Sequence, residues 1–424
     1  MIDSIFSIYQ DRNHKWELIP LSVVTQEVKH LNQSMIENNL LSLSYGKIIR
    51  KDLLSADGLK PESYDGYNIV EKDDIVLRLT DLQNDKRSLR TGRVMERGII
   101  TSAYTSIRPT GIEPRWLAYT LHTYDLQKVF YSLGSGLRQS MNYSDLKSLA
   151  IARPPIEEQR KIANYLDAQI SRIDDIVNAK IQQKRILNQE AQARLVEFFG
   201  HPHFSGLQNN EQRRLGPCLL LNEGGYWGED PIGSNDTLVL RSTEITSRGK
   251  WRDLENGSYR NLNLDNNKQH LLRLDDIVVT KASGSLDHIG KAALVTQEIV
   301  DLGASFGNFM QRLRVNPSIY IPAYICHFLR SSNARSQFQY WGTTSTGLFN
   351  ISAELLNNLQ LPVVSLSEQE RVSSIIEELE IDFEARLSLI EKSITLFEKL
   401  KDSTISEAVV GKLDSQTSKG ASNV

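Results

Sequence analysis

Cysteine is nearly absent from this 424-residue chain, which has only Cys218 and Cys326. They lack the paired spacing of a zinc site, so two reduced thiols are expected rather than a metal centre or a disulfide. No run of about 18 apolar residues occurs that would span a bilayer. The opening MIDSIFSIYQDRNHKW also lacks the basic start and apolar centre of a secretory signal, and a cytoplasmic location is the expectation. Signatures of catalysis are missing too. The eight histidines include no His-x-x-x-His pair, and His201 and His203 flank a proline in a segment read as a solvent-facing linker. GSLDHIGKA, from Gly284, has five residues between its glycines where a phosphate loop has four, and Ala292 stands where a magnesium-binding Ser or Thr would follow the lysine. NPSIY, from Asn316, lacks the second proline of an amino-methyltransferase motif and reads as a strand-to-helix turn. Glu27 and Lys29 have no aspartate placed to complete a nuclease metal site. No catalytic residue and no metal ligand is nominated.

A basic excess, the usual attraction for phosphates, is absent as well, because the net charge is −3. The acidity is local. Residues 366–410 carry 11 acidic and 5 basic side chains, whereas residues 1–156 carry 20 basic and 18 acidic. In RLTDLQNDKRSLRTGR the cations Arg78, Lys86, Arg87, Arg90 and Arg93 crowd together against only Asp81 and Asp85. Two readings of this stretch stay open, a phosphate-facing loop or a solvated turn with ordinary surface charge.

What is present, in a length that calls for two or three domains, is an internal repeat. EKDDIVLR, from Glu71, aligns with LRLDDIVVT, from Leu272, and sets Asp73 against Asp275, 202 positions later. IEEQRKIANYL, from Ile156, aligns with LSEQERVSSII, from Leu366, and sets Gln159 against Gln369, 210 positions later. A growing offset is what two copies of one domain produce when they keep a framework and differ in loop length. The order read from it is globular over 1–155, helix over 156–199, linker over 200–213, globular over 214–365, helix over 366–410 and flexible tail over 411–424.

The helices follow from periodicity. In the second, Ile376, Leu379, Phe383, Leu387, Ile390, Ile394 and Phe397 recur at spacings of three and four, which makes a heptad seam. The first carries Ile162, Leu166, Ile173, Val177, Leu187 and Ala191 at compatible spacings, interrupted by Lys180 and Lys184. Neither contains proline or glycine, and Pro154 with Pro155 precede one while Pro362 precedes the other. About 44 residues at about 1.5 Å each give a rod of roughly 65 Å, too long to fold against one small domain. Pairing between the two helices is expected; the alternative is two unrelated helices, each covering its own domain.

The globular parts read as β-rich, with short runs such as DDIVLRL, GIITSAYTSI, DDIVVTKA and KAALVT between turn residues. RWLAYTLHTYDLQKVFYSL and IPAYICHFLRSSNARSQFQYW are helical stretches at equivalent places, followed by the turns GSGLRQSMN and GTTSTGLFN. Small residues in those turns allow the backbone to approach a phosphate or a base edge, and they equally suit a plain loop.

Together these residues resemble one family over nearly the whole chain, the specificity subunits of type I restriction-modification systems. The resemblance rests on the duplicated layout and on the helix starts PPIEEQRKI and SLSEQERV. It rests also on YNIVEKDDIVLRLTDLQNDKRSLRTGRV with GIITSAYTSIRP, and on DDIVVTKASGSLDHIGKAALV. The ending EAVVGKLD is similar to the family's last segment, and LVEFFGHP, after the first helix, departs from it as a linker would.

The resemblance implies an α+β fold with two β-rich target-recognition domains, each followed by a long helix, and the two helices pairing as an antiparallel coiled coil. It implies that each domain reads one half of a bipartite site in double-stranded DNA and that the helices fix the spacing. In that family two methyltransferase subunits dock and methylate adenine with S-adenosylmethionine. Nuclease-translocase subunits cut unmethylated DNA using ATP and Mg, and the specificity subunit itself is non-catalytic, binds no cofactor and is present in one copy per complex.

The DNA contacts nominated in the first domain are Arg78, Thr80, Gln83, Lys86, Arg87, Arg90, Arg93, Tyr104 and Arg138. In the second they are Lys281, Ser283, Ser285, His288, Lys291, Arg312, Thr343, Thr344 and Ser345. Two other classes of function remain in view. One is a stand-alone modification enzyme with fused recognition domains, and the other a coiled-coil scaffold whose β-rich domains bind proteins.

Overall fold

The computed structural model describes residues 16–52, 63–80, 82, 88–133, 140–199, 211–233, 236–263, 267–283, 289–341, 343–345 and 348–412. His201, His203, most of the linker and nearly all of the tail lie outside these. The chain forms two compact units, Met1–Ile181 with Glu391–Val424, and Gln182–Ile390.

Each unit is built on a four-stranded antiparallel sheet with the same strand order. In the first the order is Thr25–Glu27, Thr105–Pro109, Ile75–Leu77, Thr91–Arg93. In the second it is Leu219–Gly224, Met310–Val315, Ile277–Thr280, Ala292–Leu294. Ile75–Leu77 and Ile277–Thr280 are buried at every position. This is why DDIVLRL and DDIVVTKA read as apolar runs and not as alternating patterns.

The aspartates before these strands explain the first sequence match. Asp73 and Asp275 both adopt the left-handed backbone, with φ of 74° and 66°, a conformation that aspartate tolerates better than most residues. Their neighbours Asp74 and Asp276 are buried carboxylates gripped by the Nε and Nη2 groups of Arg108 and Arg314 respectively, at 2.7 and 2.8 Å in both units. Each carboxylate also accepts a main-chain N–H from three residues earlier, Glu71 at 2.8 Å and Arg273 at 2.9 Å.

The RWLAY and IPAYI stretches form Pro114–Leu126 with Val129–Leu133, and Pro322–Arg330 with Ser332–Trp341. A two-stranded ribbon then leads into each long helix: Glu17–Pro20 against Ala150–Arg153, and Gln212–Arg214 against Gln360–Pro362. The long helices span Ile156–Phe199 and Leu366–Val409, and both units take a part of each.

Within the first unit, Leu166 shares a core with Ile405, Ala408 and Val409, and Asp174 accepts Lys401 Nζ at 2.7 Å. One helix advances as the other retreats, so this pairing is antiparallel. Within the second unit, Leu195 and Phe199 share a core with Val372 and Ile376. Of the seam residues, Leu166, Ile173, Leu187, Ile376, Phe383 and Ile390 are buried, and Ile162, Val177, Leu379, Leu387, Ile394 and Phe397 are half-buried. Both cysteines are free and buried, and burial pushes the Cys326 thiol up to about 11. Among the described residues no helix is long and apolar enough to cross a membrane.

Candidate nucleic-acid interface

In both units the central strand runs out into the segment where the nominated cations lie. In the first, Arg78 N–H donates to Arg90 O and Met141 N–H donates to Leu79 O, both at 2.8 Å. The basic stretch and the Gly/Ser stretch that contains Arg138 therefore leave the framework at adjoining residues. The second unit repeats both bonds, Thr280 N–H to Lys291 O at 2.8 Å and Ile351 N–H to Lys281 O at 2.7 Å. Leu79 and Lys281 are 202 positions apart, and Met141 and Ile351 are 210 apart, the same offsets that align the sequence. The likeness between the halves thus reaches individual hydrogen bonds. GTTSTGLFN, read as a turn, carries a hairpin instead, Thr343–Ser345 against Leu348–Asn350, and the latter strand also pairs with Ala282–Ser283. Its β-branched threonines suit a strand.

Three nominated cations face inward and are corrected to framework residues. Arg90 is 0% exposed; its Nη1 donates to Thr80 O at 2.9 Å, its ring neighbour is Tyr131, and its own N–H donates to Asp125. Arg312, 2% exposed, donates to Leu271 O at 2.8 Å and Gln269 O at 2.7 Å and pairs with Glu223. Lys291, the positional counterpart of Arg90, is buried with Nζ 3.3 Å from Ile245 O. Donors committed to carbonyls inside a domain cannot reach a phosphate.

Among the other described nominees, Arg78, Thr80 and Ser283 are half-buried where the segments leave the framework, and Arg93 stands at the other end of its strand, opposite Ile75. Arg93 is paired with Asp73 at 2.9 Å, and Tyr104 packs on the small apolar cluster around Val70 and Ile100. Lys281 is half-buried with Nζ 3.4 Å from Gln311 Oε1, and burial lowers its ammonium below the usual value. Thr343, Thr344 and Ser345 form the outer hairpin strand. Gln83, Lys86, Arg87, Arg138, Ser285 and His288 lie outside the described residues. No group of three or more His, Cys, Asp or Glu side chains among the described residues could hold a metal ion.

The same architecture is found in a solved chain from work on complex assembly and conformational transition of the type I restriction-modification system. The TM-score is 0.66 at 14% identity, covering 94% of this chain and 98% of that one. Residues 59–184 match the family model for the type I restriction modification DNA specificity domain. The specificity subunit of the type I restriction enzyme StySPI, from Salmonella potsdam, is 21% identical over 317 residues, 72% of this chain. This chain is thus similar to type I specificity subunits over residues 59–184 and in its fold. A second relative, the EcoKI specificity subunit of Escherichia coli (strain K12), is 25% identical over 139 residues, 33% of this chain. The matches span 66% and 29% of these two relatives' own lengths. The stretch matched to the family domain holds the first unit's central strand, its basic segment and the start of the long helix.

Proposed function

We propose that this chain is the DNA-reading component of a type I restriction-modification complex. In this reading the domain at 1–155 reads one half of a bipartite double-stranded site and the domain at 214–365 reads the other. The helices at 156–199 and 366–410 set the spacing between the halves. The observation that carries the reading is one framework built twice with different loops: the hydrogen bonds at Leu79 and Met141 recur at Lys281 and Ile351, while the residues between them diverge. Two copies that share a scaffold and differ where loops emerge suit two different half-sites. Base edges in the groove carry the sequence, and phosphate contacts supply register.

Two methyltransferase subunits and the nuclease-translocase subunits are the proposed partners, and the chemistry is theirs. They use S-adenosylmethionine to methylate an adenine turned out of the stack, and ATP with Mg to cleave unmethylated DNA. The chain itself acts without cofactor, metal or catalytic group, in the cytoplasm. One copy per complex is proposed, because the chain already carries the recognition framework twice.

Adenine-methylation mapping of the host genome, with and without this gene, tests the proposal. The expected result is loss of one split motif, two short defined halves around a fixed undefined gap. An unchanged methylome with expressed partner methyltransferases would overturn it in favour of a protein-binding scaffold.

A further inference from the structure

A short string, Ser-x-Gly-Lys, stands at Ser44–Lys47 and again at Ser247–Lys250, 203 positions later, close to the offset of 202 between Asp73 and Asp275. In the first unit it is the tip of a hairpin, Leu41–Ser44 against Lys47–Arg50, with Tyr45 and Gly46 both left-handed at φ of 46° and 76°. In the second it is a tight turn. Gly249 N–H donates to Thr246 O at 3.0 Å, Thr246 N–H donates to Lys250 O at 2.9 Å, and Gly249 has φ of 72°.

Both turns lie on the same strand of their sheets, Thr91–Arg93 or Ala292–Leu294, which is the strand that returns from the cation-bearing segment. A Cβ on Gly46 would stand 3.0 Å from the Leu89 side chain and 3.5 Å from Thr91 O, and one on Gly92 would stand 2.7 Å from Leu43 of the hairpin. A Cβ on Gly249 would stand 2.3 Å from Ala292 O. Only glycine lets main chain come this close. The second turn is fastened again at its base, where Trp251 Nε1 donates to Leu294 O at 2.7 Å.

From that strand each turn reaches a long helix. Lys47 Nζ is 3.5 Å from Asp174 Oδ2 on Ile156–Phe199, and Lys401 of Leu366–Val409 holds the same carboxylate. Lys250 Nζ is 3.4 Å from Glu380 Oε2 on Leu366–Val409, and Arg330 of the domain holds that carboxylate too. Arg248 goes further. Its Nη2 donates to Asn188 Oδ1 at 2.6 Å and its guanidinium lies 5.1 Å from the centre of the Phe383 ring, so one side chain touches both long helices. A planar guanidinium bonds in its plane while its face stacks. Tyr45, in the place of Arg248, is 80% exposed, which leaves the first unit with the weaker brace.

We propose that each Ser-x-Gly-Lys turn is a strut that fixes the angle of its recognition domain on the long helices, with Lys47, Arg248 and Lys250 as positioning residues. The inference rests on the reading that this chain recognises DNA. The strut contacts no base; it governs how closely the gap between half-sites must be matched. Each base pair added to a gap moves a half-site by about 3.4 Å and turns it by about 34°. A domain that rocks on its helices accepts the displaced half-site that a braced one rejects.

The test uses the full chain assembled with methyltransferase partners. The DNAs keep both half-sites and differ in the gap, lengthened or shortened one base pair at a time, and methylation at the preferred gap is compared with methylation at its neighbours. Arg248→Ala is expected to lose about 10-fold of this discrimination, the size of a stack lost together with a charged hydrogen bond. Lys47→Ala, on an exposed ion pair, is expected to lose about 2-fold. Base preference within each half-site stays as in the unaltered chain, and Lys47→Arg keeps the gap preference. Lys250→Ala, which removes a half-exposed ammonium, gives the same reading where Arg248→Ala does not fold. Folded variants with unchanged gap preference, with methylation weakened equally at every gap, or with altered base preference inside a half-site would overturn the proposal. An unaltered chain with no sequence preference overturns the DNA-recognition reading and the strut with it, whereas an unaltered chain with a split site and variants that keep its gap remove the strut alone.

Discussion

Gln159 and Gln369, 210 positions apart, hold the same pair of main-chain groups. Each is buried in the first turn of a long helix. Gln159 Oε1 accepts Glu113 N–H at 2.9 Å, and its Nε2 donates to Pro154 O at 2.7 Å. Gln369 Oε1 accepts Ile321 N–H at 2.8 Å, and its Nε2 donates to Val364 O at 3.1 Å. Glu113 and Ile321 are the residues before the prolines that start the RWLAY and IPAYI helices. The glutamine thus ties the long helix to the helix inside its domain. The amide carries the acceptor and the donor on separate atoms, which a glutamate carboxylate at neutral pH does not.

Replacement of either glutamine by leucine leaves a buried N–H and a buried carbonyl without partners. Gln159→Leu and Gln369→Leu are each expected to cost about 2–4 kcal/mol in urea unfolding. A change within about 0.5 kcal/mol would show that water or a shifted backbone replaces the lost bonds.

Asp74 and Asp276 lead to a second prediction. Neutralising the buried carboxylate of a doubly hydrogen-bonded ion pair leaves its arginine without a partner. Asp276→Asn, whose partner Arg314 is largely covered, should destabilise by about 3 kcal/mol, and Asp74→Asn, whose partner Arg108 is 47% exposed to water, by less, each seen as a lowered urea midpoint with an unchanged slope. Equal midpoints for the variants and the unaltered chain would mean that Arg108 and Arg314 find other partners.

The buried and loop-borne cations should separate in DNA binding. Arg90→Ala and Arg312→Ala are expected to lower stability and leave base preference intact in whatever folds. Arg87→Ala should weaken all sequences alike and reduce the salt slope of binding by about 1. Loss of preference at a single base position instead would make Arg87 a base reader.

Acid should weaken the second unit. Burial, with the Arg330 guanidinium beside it, presses the His327 imidazole down to about 4 from 6.5. Burial alone would raise Glu380, but Arg330, His327 and Lys250 outweigh it and hold the carboxyl below its usual 4.5. Both groups bind fewer protons folded than unfolded, so the stability they provide is present at neutral pH and is lost on acidification. His327 loses its share as pH falls from 6.5 towards about 4, and Glu380 loses its own below 4.5. The histidine's part is on the order of 3 kcal/mol. Urea midpoints at about pH 7 and about pH 5 should differ clearly in the unaltered chain and much less in His327→Asn. An equal difference in both would assign the acid sensitivity elsewhere.

The framework was legible because its chemistry is local and duplicated. The aspartate pair needs a left-handed residue followed by a buried carboxylate, and the glutamine needs a fixed place in the first helical turn, so both survive as short matching strings. The cations misled because charge in a string says nothing of what faces it. Arg312 is spent on the carbonyl of Gln269, 43 positions away, and Arg90 on groups brought near only by the completed domain.

The sharing of both long helices between the units sets an order of completion during synthesis. The second unit has all its residues once Ile390 has emerged from the ribosome, whereas the first waits for Glu391 onward to deliver Ile405, Ala408 and Val409 to its core. The half of the chain that is made first is therefore finished last. Until then Leu166 and its neighbours present an open apolar face to solvent, a natural place for a chaperone to hold.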